Sequence, residues 1–456
     1  MNGLAALTYL LTYLQANIYT KGFLRCFALP ETRWCRMIML SRPLIVALLA
    51  VSARAEEACA SSGGDDVGAA AEGGCGCSSL KRDAATVEHD GASAAAADPA
   101  PVAAAKSASE TGAAATDGGR PARLVWIPGG DFVMGHNDKS VSPSTFFADG
   151  EGPGRRVSVS GVWLGETEVS NAQWAAFAQA TGFESESEKY GWSFVFEREL
   201  TAAANEAASN AVQAAPWWIK VDGASWRNPD GPGSDALAGG RETHPVVHVS
   251  WTDAAAYCRW AYPGGRLPTE AEWEHAARGP PTGSASAKRY RYPWGKSLVP
   301  GGVHRANIFQ GEFPTNNTAE DGHRGTAPVH AYGAQNEYGL YNLIGNVWEW
   351  VSDYWTISHP KPKVGEPPLG DPLGPDHNTG ERTKKGGSYM CHKSYCHRYR
   401  IVARSQNTED TGTSNLGFRC AQPGEESASG EEATAEEGGA AGAAAEAQAG
   451  ALRDEL

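Results

Sequence analysis

Gly386-Gly387-Ser388-Tyr389-Met390-Cys391-His392-Lys393-Ser394-Tyr395-Cys396-His397-Arg398-Tyr399-Arg400 places two cysteines five residues apart among His, Ser, Tyr and Arg. Cationic and hydrogen-bonding neighbours favour the thiolate, the form of cysteine that acts as nucleophile and metal ligand. Cysteine is scarce elsewhere in the apolar, Trp-rich part of the chain, so chemistry is expected in this segment.

Around it, composition divides the 456-residue chain, whose formal net charge is −14. Residues 56–120 are rich in Ala, Gly, Ser and Asp, and residues 424–456 are rich in Ala, Glu and Gly. Neither stretch carries enough apolar surface to offset the entropy of ordering it, so both are expected to be disordered. Between them, residues 121–423 form the expected folded domain of about 300 residues, enough for one large core or two fused lobes. Much of the negative charge belongs to the tail, and no basic stripe argues for nucleic acid.

Residues 1–55 read as a signal peptide with a long leader. Arg36 and Arg42 precede the apolar run Pro43–Val51, and Ala53-Arg54-Ala55 supplies the small-x-small cleavage pattern. That run is too short to span a bilayer, so no membrane span is expected in the mature form. The chain ends Arg453-Asp454-Glu455-Leu456, a tetrapeptide of the type read by a retrieval receptor of the endoplasmic reticulum. The expected location is therefore the endoplasmic reticulum lumen, an oxidising compartment where cysteines pair.

Cys59, Cys75 and Cys77 lie in the Ala/Gly-rich extension, and Cys75-Gly76-Cys77 suits thiol exchange with a partner or has no role. Cys258, Cys391, Cys396 and Cys420 lie in the core, where four cysteines allow three full pairings. Cys258 follows a helix-like apolar face and Cys420 a strand-like stretch, so both read as structural. Asn316-Asn317-Thr318 is an N-glycosylation sequon.

Leu124–Gly135 reads as strand, turn, strand. Ser170 with Gln173, and Thr269 with Glu272, form capping boxes that open helices. His244–Trp251 alternates as a strand, and Thr252–Ala261 follows as a helix. Beyond Gly279, Gly, Pro, Asn and aromatics predict long ordered loops, short strands and few helices. Asn307-Ile308 with Asp321-Gly322-His323, and Asn342-Leu343-Ile344-Gly345-Asn346-Val347-Trp348-Glu349, offer oxygen donors suited to Ca²⁺. From spacing alone, ordinary Asx-turns are the favoured account of both segments.

The chain resembles the formylglycine-generating enzyme, or sulfatase-modifying factor, family from about Arg123 to Gln422. The matching blocks include Ala215-Pro216-Trp217-Trp218, His248-Val249-Ser250-Trp251, Arg266–Glu274, Gln310–Pro314, Gly345–Trp350, the segment Gly386–Arg400 and Asn415–Cys420. The resemblance implies an α+β domain, related to the C-type-lectin-like fold, with little regular structure and long ordered loops. It implies conversion of the cysteine of a Cys-x-Pro-x-Arg motif in newly made, unfolded sulfatases to Cα-formylglycine, with O₂ as co-substrate and a thiol reductant. Cys391 and Cys396 would be the catalytic pair and bind Cu(I), a soft ion suited to thiolates. Ser388 and Trp348 would shape that pocket, and His392, Tyr395, Arg398 and Asn415 would line the substrate site. Asn307, Ile308, Asp321 and His323 would hold one Ca²⁺, and Asn342, Gly345, Val347 and Glu349 a second. Ile308, His323, Gly345 and Val347 would act there through their carbonyls.

The resemblance also implies a Cys258–Cys420 disulfide. The vertebrate members' second bridge falls at Ala277 and Ile401, so it is lost as a pair. Three other readings compete. A non-catalytic paralogue would lack the cysteine pair. An iron-dependent sulfoxide synthase has the spacing of His244 and His248, but would need Glu where Ser250 stands. A plain Cys391–Cys396 disulfide is the default for a secreted chain without the family match.

Overall fold

Ser170 and Thr269 start helices in the same way. Each hydroxyl accepts the N–H three residues on, and Gln173 or Glu272 at that position returns a bond to the cap's own N–H. Amides that open a helix without intrahelical partners are thereby satisfied. The computed structural model describes Leu80, Arg82 and residues 119–137, 147–206, 208–281 and 291–424. The leader, Cys59, Cys75, Cys77 and the C-terminal tetrapeptide lie outside them.

The helices are α1 (Asn171–Thr181), α2 (Glu186–Tyr190), α3 (Ala202–Glu206), α4 (Trp251–Ala261) and α5 (Glu270–Arg278). The strands are β1 (Leu124–Ile127), β2 (Gly130–Met134), β3 (Arg155–Val159), β4 (Val162–Gly165), β5 (Trp192–Phe196), β6 (Ala208–Val212), β7 (Ala215–Asp222), β8 (Gly311–Glu312) and β9 (Asn316–Asn317). They continue with β10 (Trp348–Tyr354), β11 (Leu369–Gly370), β12 (Glu381–Lys385), β13 (Arg404–Thr408), β14 (Leu416–Phe418) and β15 (Ala421–Pro423). Few helices, small mixed sheets and long loops make an α+β domain. None of the described helices is long and apolar enough to cross a membrane.

The sheet that positions the site runs β13-β12-β10-β14, with β10 antiparallel to β12 and parallel to β14. The expected strands on either side of the Pro128-Gly129 turn both form, but they join different sheets, β1 pairing with β4 and β2 with β3. His244–Trp251 is not a strand. His248 takes φ +61, and single bonds to different partners, Val246 to Val169 and His248 to Thr413, replace a ladder. His248 is buried, its ring nitrogens meeting Ser193 Oγ and Pro229 O, so it is a satisfied core histidine.

Trp174 sits in the largest apolar cluster against Phe177, Tyr257 and Phe418. Cys258, on α4, and Cys420 lie with sulfurs 2.01 Å apart, disulfide distance. Ala277 and Ile401 are both fully buried in the same cluster, so packing stands where a second bridge is absent.

After β12, Gly386 and Gly387 take φ +91 and +75, and a Cβ on Gly386 would come within 2.6 Å of Leu343 O. Only glycine turns the chain there without strain. Buried ion pairs clamp the loop that follows. Lys385 Nζ lies 3.4 Å from Glu270 and 3.3 Å from Glu274, while Arg404 meets the same Glu270 at 2.7 Å. Arg398 holds Asp149 at 2.7 Å and Arg400 holds Glu151 at 2.6 Å.

Burial alone would raise the Glu151 carboxyl, but Arg400 and His136 hold it at about 2. The unfolded chain, with an ordinary value of about 4.3, therefore binds more protons between those pH values. This contribution to stability is present above that window and lost as pH falls through it. Glu151→Gln is expected to cost ~3–5 kcal/mol at neutral pH, because it strands a buried guanidinium. It should also flatten the acid dependence of the melting temperature. Parallel melting curves for both proteins across the window would contradict this assignment.

Candidate active site and cation sites

Two short turns bring the paired cysteines together. Cys391 N–H donates to Ser388 O at 2.8 Å, and Ser388 N–H points at Cys391 Sγ at 3.4 Å. The N–H groups of Tyr395 and Cys396 then both donate to His392 O, at 3.0 and 2.8 Å. The result is a separation of 2.8 Å between Cys391 Sγ and Cys396 Sγ. A covalent S–S bond is about 2.05 Å, so the thiols face each other without being joined. They are 1% and 2% exposed.

Two further expected residues, Asn415 and Trp348, converge on this turn. Asn415 Nδ2 donates to Ser388 Oγ at 2.9 Å, and Thr413 Oγ1 donates to Asn415 Oδ1 at 2.8 Å. Trp348 N–H donates to Asn415 O at 2.9 Å. Trp348 is fully buried, and its Nε1 has no acceptor among the described residues. The Tyr399 phenol is pushed up by burial, then by Tyr292 and the two thiols, so a neutral hydroxyl stands beside the sulfurs.

An aromatic wall borders the turn. Tyr395 stacks on Phe313 with centroids 4.5 Å apart and meets Trp217 edge-on at 4.6 Å. Phe309 donates its N–H to Cys391 O and packs its ring on Phe313 and His392. Phe309 and Phe196 also line a cavity of about 290 Å³ shared with Glu197 and Glu199. Burial, then Lys393, lowers the His392 pKa, which favours its neutral ring; its Nδ1 meets Ser394 Oγ at 2.7 Å. Arg398 is placed differently from the others. It is 2% exposed and bonded to Asp149, a contact that anchors the loop.

Among the described residues, no three His, Cys, Asp or Glu side chains converge as a metal cluster. The thiol pair offers two soft donors, which fits Cu(I). The two oxygen-rich segments offer something different: Asn307 Oδ1 and Asn342 Oδ1 are buried acceptors with no hydrogen-bond partner among the described residues. Their amide nitrogens face acceptors, Gly325 O and Asn346 Oδ1 for Asn307, and Glu168, Pro328 and Val329 for Asn342. Flipping either amide would turn those bonds into repulsions. An orphaned buried carbonyl at each site fits a hard cation.

Around the first site, Asp321 accepts from Ile308 N–H, Gln310 Nε2 and His323 N–H. In the second, both Glu349 oxygens are engaged by Arg419, at 2.6 and 2.7 Å, and by Trp273. A second carboxylate that sequence reading did not include, Glu168, accepts from Asn342 and Asn346. Burial raises Glu168 to about 8, and Glu349 adds to the shift while Arg419 opposes it. No spacing within Glu166–Ser170 could have pointed to it, because its partners lie more than 170 residues away. Gly345, at φ +86, approaches Asn307 so closely that a Cβ would lie 2.5 Å from Asn307 O.

Chelator-treated protein is expected to melt at a lower temperature, and added Ca²⁺ to restore it by RT ln(1 + [Ca²⁺]/Kd), about 2.7 kcal/mol at 100 Kd. Asn307→Ala and Asn342→Ala should each reduce that gain. A melting temperature indifferent to Ca²⁺ would count against both sites.

Residues 110–423 match the family described as Sulfatase-modifying factor enzyme 1-like domain. The chain is 52% identical over 307 residues to the formylglycine-generating enzyme of Bos taurus, covering 67% of this chain and 76% of that one. It is 48% identical over 397 residues to that of Mus musculus, covering 86% and 96%. It is also 40% identical over 307 residues to the inactive C-alpha-formylglycine-generating enzyme 2 of Bos taurus, covering 66% and 89%. With the paired thiols in place, the chain belongs to the formylglycine-generating, sulfatase-modifying factor family.

Proposed function

We propose that this chain oxidises the cysteine of a Cys-x-Pro-x-Arg motif in unfolded sulfatases to Cα-formylglycine, using O₂ and a thiol reductant. The observation that carries this is the buried pair Cys391 and Cys396, face to face in a family whose relatives bear that activity in their name. The electrons balance as follows. Conversion of the substrate CH₂–SH and one water to CHO and H₂S yields two electrons and two protons, the thiol reductant supplies two more of each on forming a disulfide, and O₂ accepts all four to become two waters, one of which replaces the water consumed. The reaction is thus that of an oxidoreductase acting on a sulfur group.

Cys391 and Cys396 would hold Cu(I), which when bound supplies the redox centre between thiol and O₂. The remaining roles belong to the chain's own groups. Ser388, fixed by Asn415, keeps a hydroxyl and a backbone N–H beside Cys391. Buried Trp348 and neutral Tyr399 keep the sulfurs in low-dielectric surroundings with no ionised neighbour among themselves. Tyr395, Phe313 and Trp217 present flat apolar faces suited to an extended peptide and its proline. Two Ca²⁺ ions, at the Asn307 and Asn342 sites, would hold the surrounding loops.

The leader and the terminal Arg453-Asp454-Glu455-Leu456 support action in the endoplasmic reticulum lumen, where unfolded clients, a retrieval receptor and thiol-exchange partners for Cys75 and Cys77 are available. Purified protein given Cu(I), O₂, a thiol and a Cys-x-Pro-x-Arg peptide should produce aldehyde, detected by mass spectrometry. Cys391→Ser and Cys396→Ser should fall to background and lose Cu(I) in competition with a chelator. Aldehyde formation undiminished in either variant would refute the proposal.

A further inference from the structure

Two described residues of the Ala/Gly-rich extension, Leu80 and Arg82, are buried. Leu80 is 1% exposed within the main apolar cluster, and Arg82 is 7% exposed. Arg82 Nε donates to Asp410 O at 3.0 Å and its Nη1 to Trp192 O at 2.9 Å. Its guanidinium carbon lies 4.6 Å from the ring centres of both Tyr190 and Trp192. Asp410, Glu186 and Asp253 surround it with negative charge. Two aromatic faces, two carbonyls and nearby carboxylates make a cradle for a guanidinium. Composition alone predicts no such docking for this part of the chain.

From this cradle a strip of backbone leads to the thiols. Asp410 touches Arg82, Thr413 bridges Phe194 on β5, Ser414 N–H donates to Phe194 O, and Asn415 holds Ser388 beside Cys391. Asp410 and Asn415 are five residues apart. In an extended Cys-x-Pro-x-Arg peptide, cysteine and arginine are four residues apart and span up to ~14 Å. The chain's own Ser78-Ser79-Leu80-Lys81-Arg82 repeats those intervals, with Ser at the cysteine position and Leu at the proline position.

We propose, building on the function above, that the Tyr190–Trp192–Asp410 cradle is the subsite for the substrate's arginine, and that Arg82 occupies it as an internal competitor. Arg82 offers this subsite its guanidinium alone, and the chain carries serine, not cysteine, four residues before it. Arg82 Nη2 has no partner among the described residues, which leaves this occupant incompletely satisfied and displaceable.

The test uses the full chain and a fluorescent Ser-x-Pro-x-Arg peptide, unreactive and requiring no metal. A binding-competent fraction of about one fifth weakens apparent affinity about fivefold. Arg82→Ala should therefore bind the peptide about fivefold more tightly than wild type. With the reactive peptide, KM should fall by the same factor at unchanged kcat. A peptide with Ala for Arg should bind both proteins equally, and Trp192→Ala should weaken binding only of the arginine peptide. Leu80→Ser releases the same segment without touching the cradle, and serves if Arg82→Ala does not fold. Equal peptide affinity in wild type and the released variants, or an equal gain for the Ala peptide, overturns the inference. A shift in binding without aldehyde from any reactive peptide would instead refute the proposed reaction and leave the docking intact.

Discussion

The carboxylate of Glu270 closes the thiol loop at both ends. Lys385, the last residue before Gly386, and Arg404, the first of β13, meet on it in a buried site. Each charge there is costly to bury alone and tolerable only in company. Burial alone would raise the Glu270 carboxyl, but Arg404 and Lys385 together hold it well below the ordinary carboxylate range. Arg398 and Arg400 add two further ion pairs to the returning limb of the loop. A segment with hardly any regular structure is thus held by charge, and the position of Cys391 relative to Cys396 follows from that clamp.

The bed beneath the loop is built from the second oxygen-rich segment. Gly345 N–H donates to Gly386 O, Tyr389 N–H donates to Asn346 O, and Trp348 N–H donates to Asn415 O. Asn346 is itself fixed by Glu168 and takes the left-handed φ +57. Residues 342–349 therefore serve two purposes at once, presenting oxygen donors on one side and hydrogen bonds to the thiol turn on the other. Order at the thiols is consequently tied to order around Asn342.

Local signals were legible. The capping boxes at Ser170 and Thr269 and the scarcity of helix after Gly279 rest on residues close in sequence, whereas the four core cysteines left three pairings open and the family resemblance set Cys391 and Cys396 apart. The failures share a physical origin. His244–Trp251 alternates as a strand should, but tertiary bonds to different partners and φ +61 at His248 override the pattern. Glu151 and Asp149 reach their arginines across 249 residues, so no window contains both partners. The bond from Arg398 to Asp149 spans the same distance in sequence and was equally out of reach of any local pattern.

Glu199 shows how the cavity and the thiol loop share a boundary. Burial raises its carboxyl to about 8, with Asp230 adding to the shift, while the Tyr389 hydroxyl donates to it at 2.6 Å. The Tyr389 backbone is part of the Ser388 turn, so one residue links the cavity's acidic wall to the thiols. A carboxyl largely protonated at neutral pH can itself donate, which suits a wall facing backbone carbonyls of an extended chain. The Arg82 cradle keeps its carboxylates at the opposite end of β5, beside Trp192, whereas Glu197 and Glu199 follow Phe196 at its other end. The strand thus separates the guanidinium site, at its Trp192 end, from the Tyr389–Glu199 hydrogen bond at its Phe196 end. That arrangement suits the proposed substrate, a peptide whose arginine lies downstream of its cysteine.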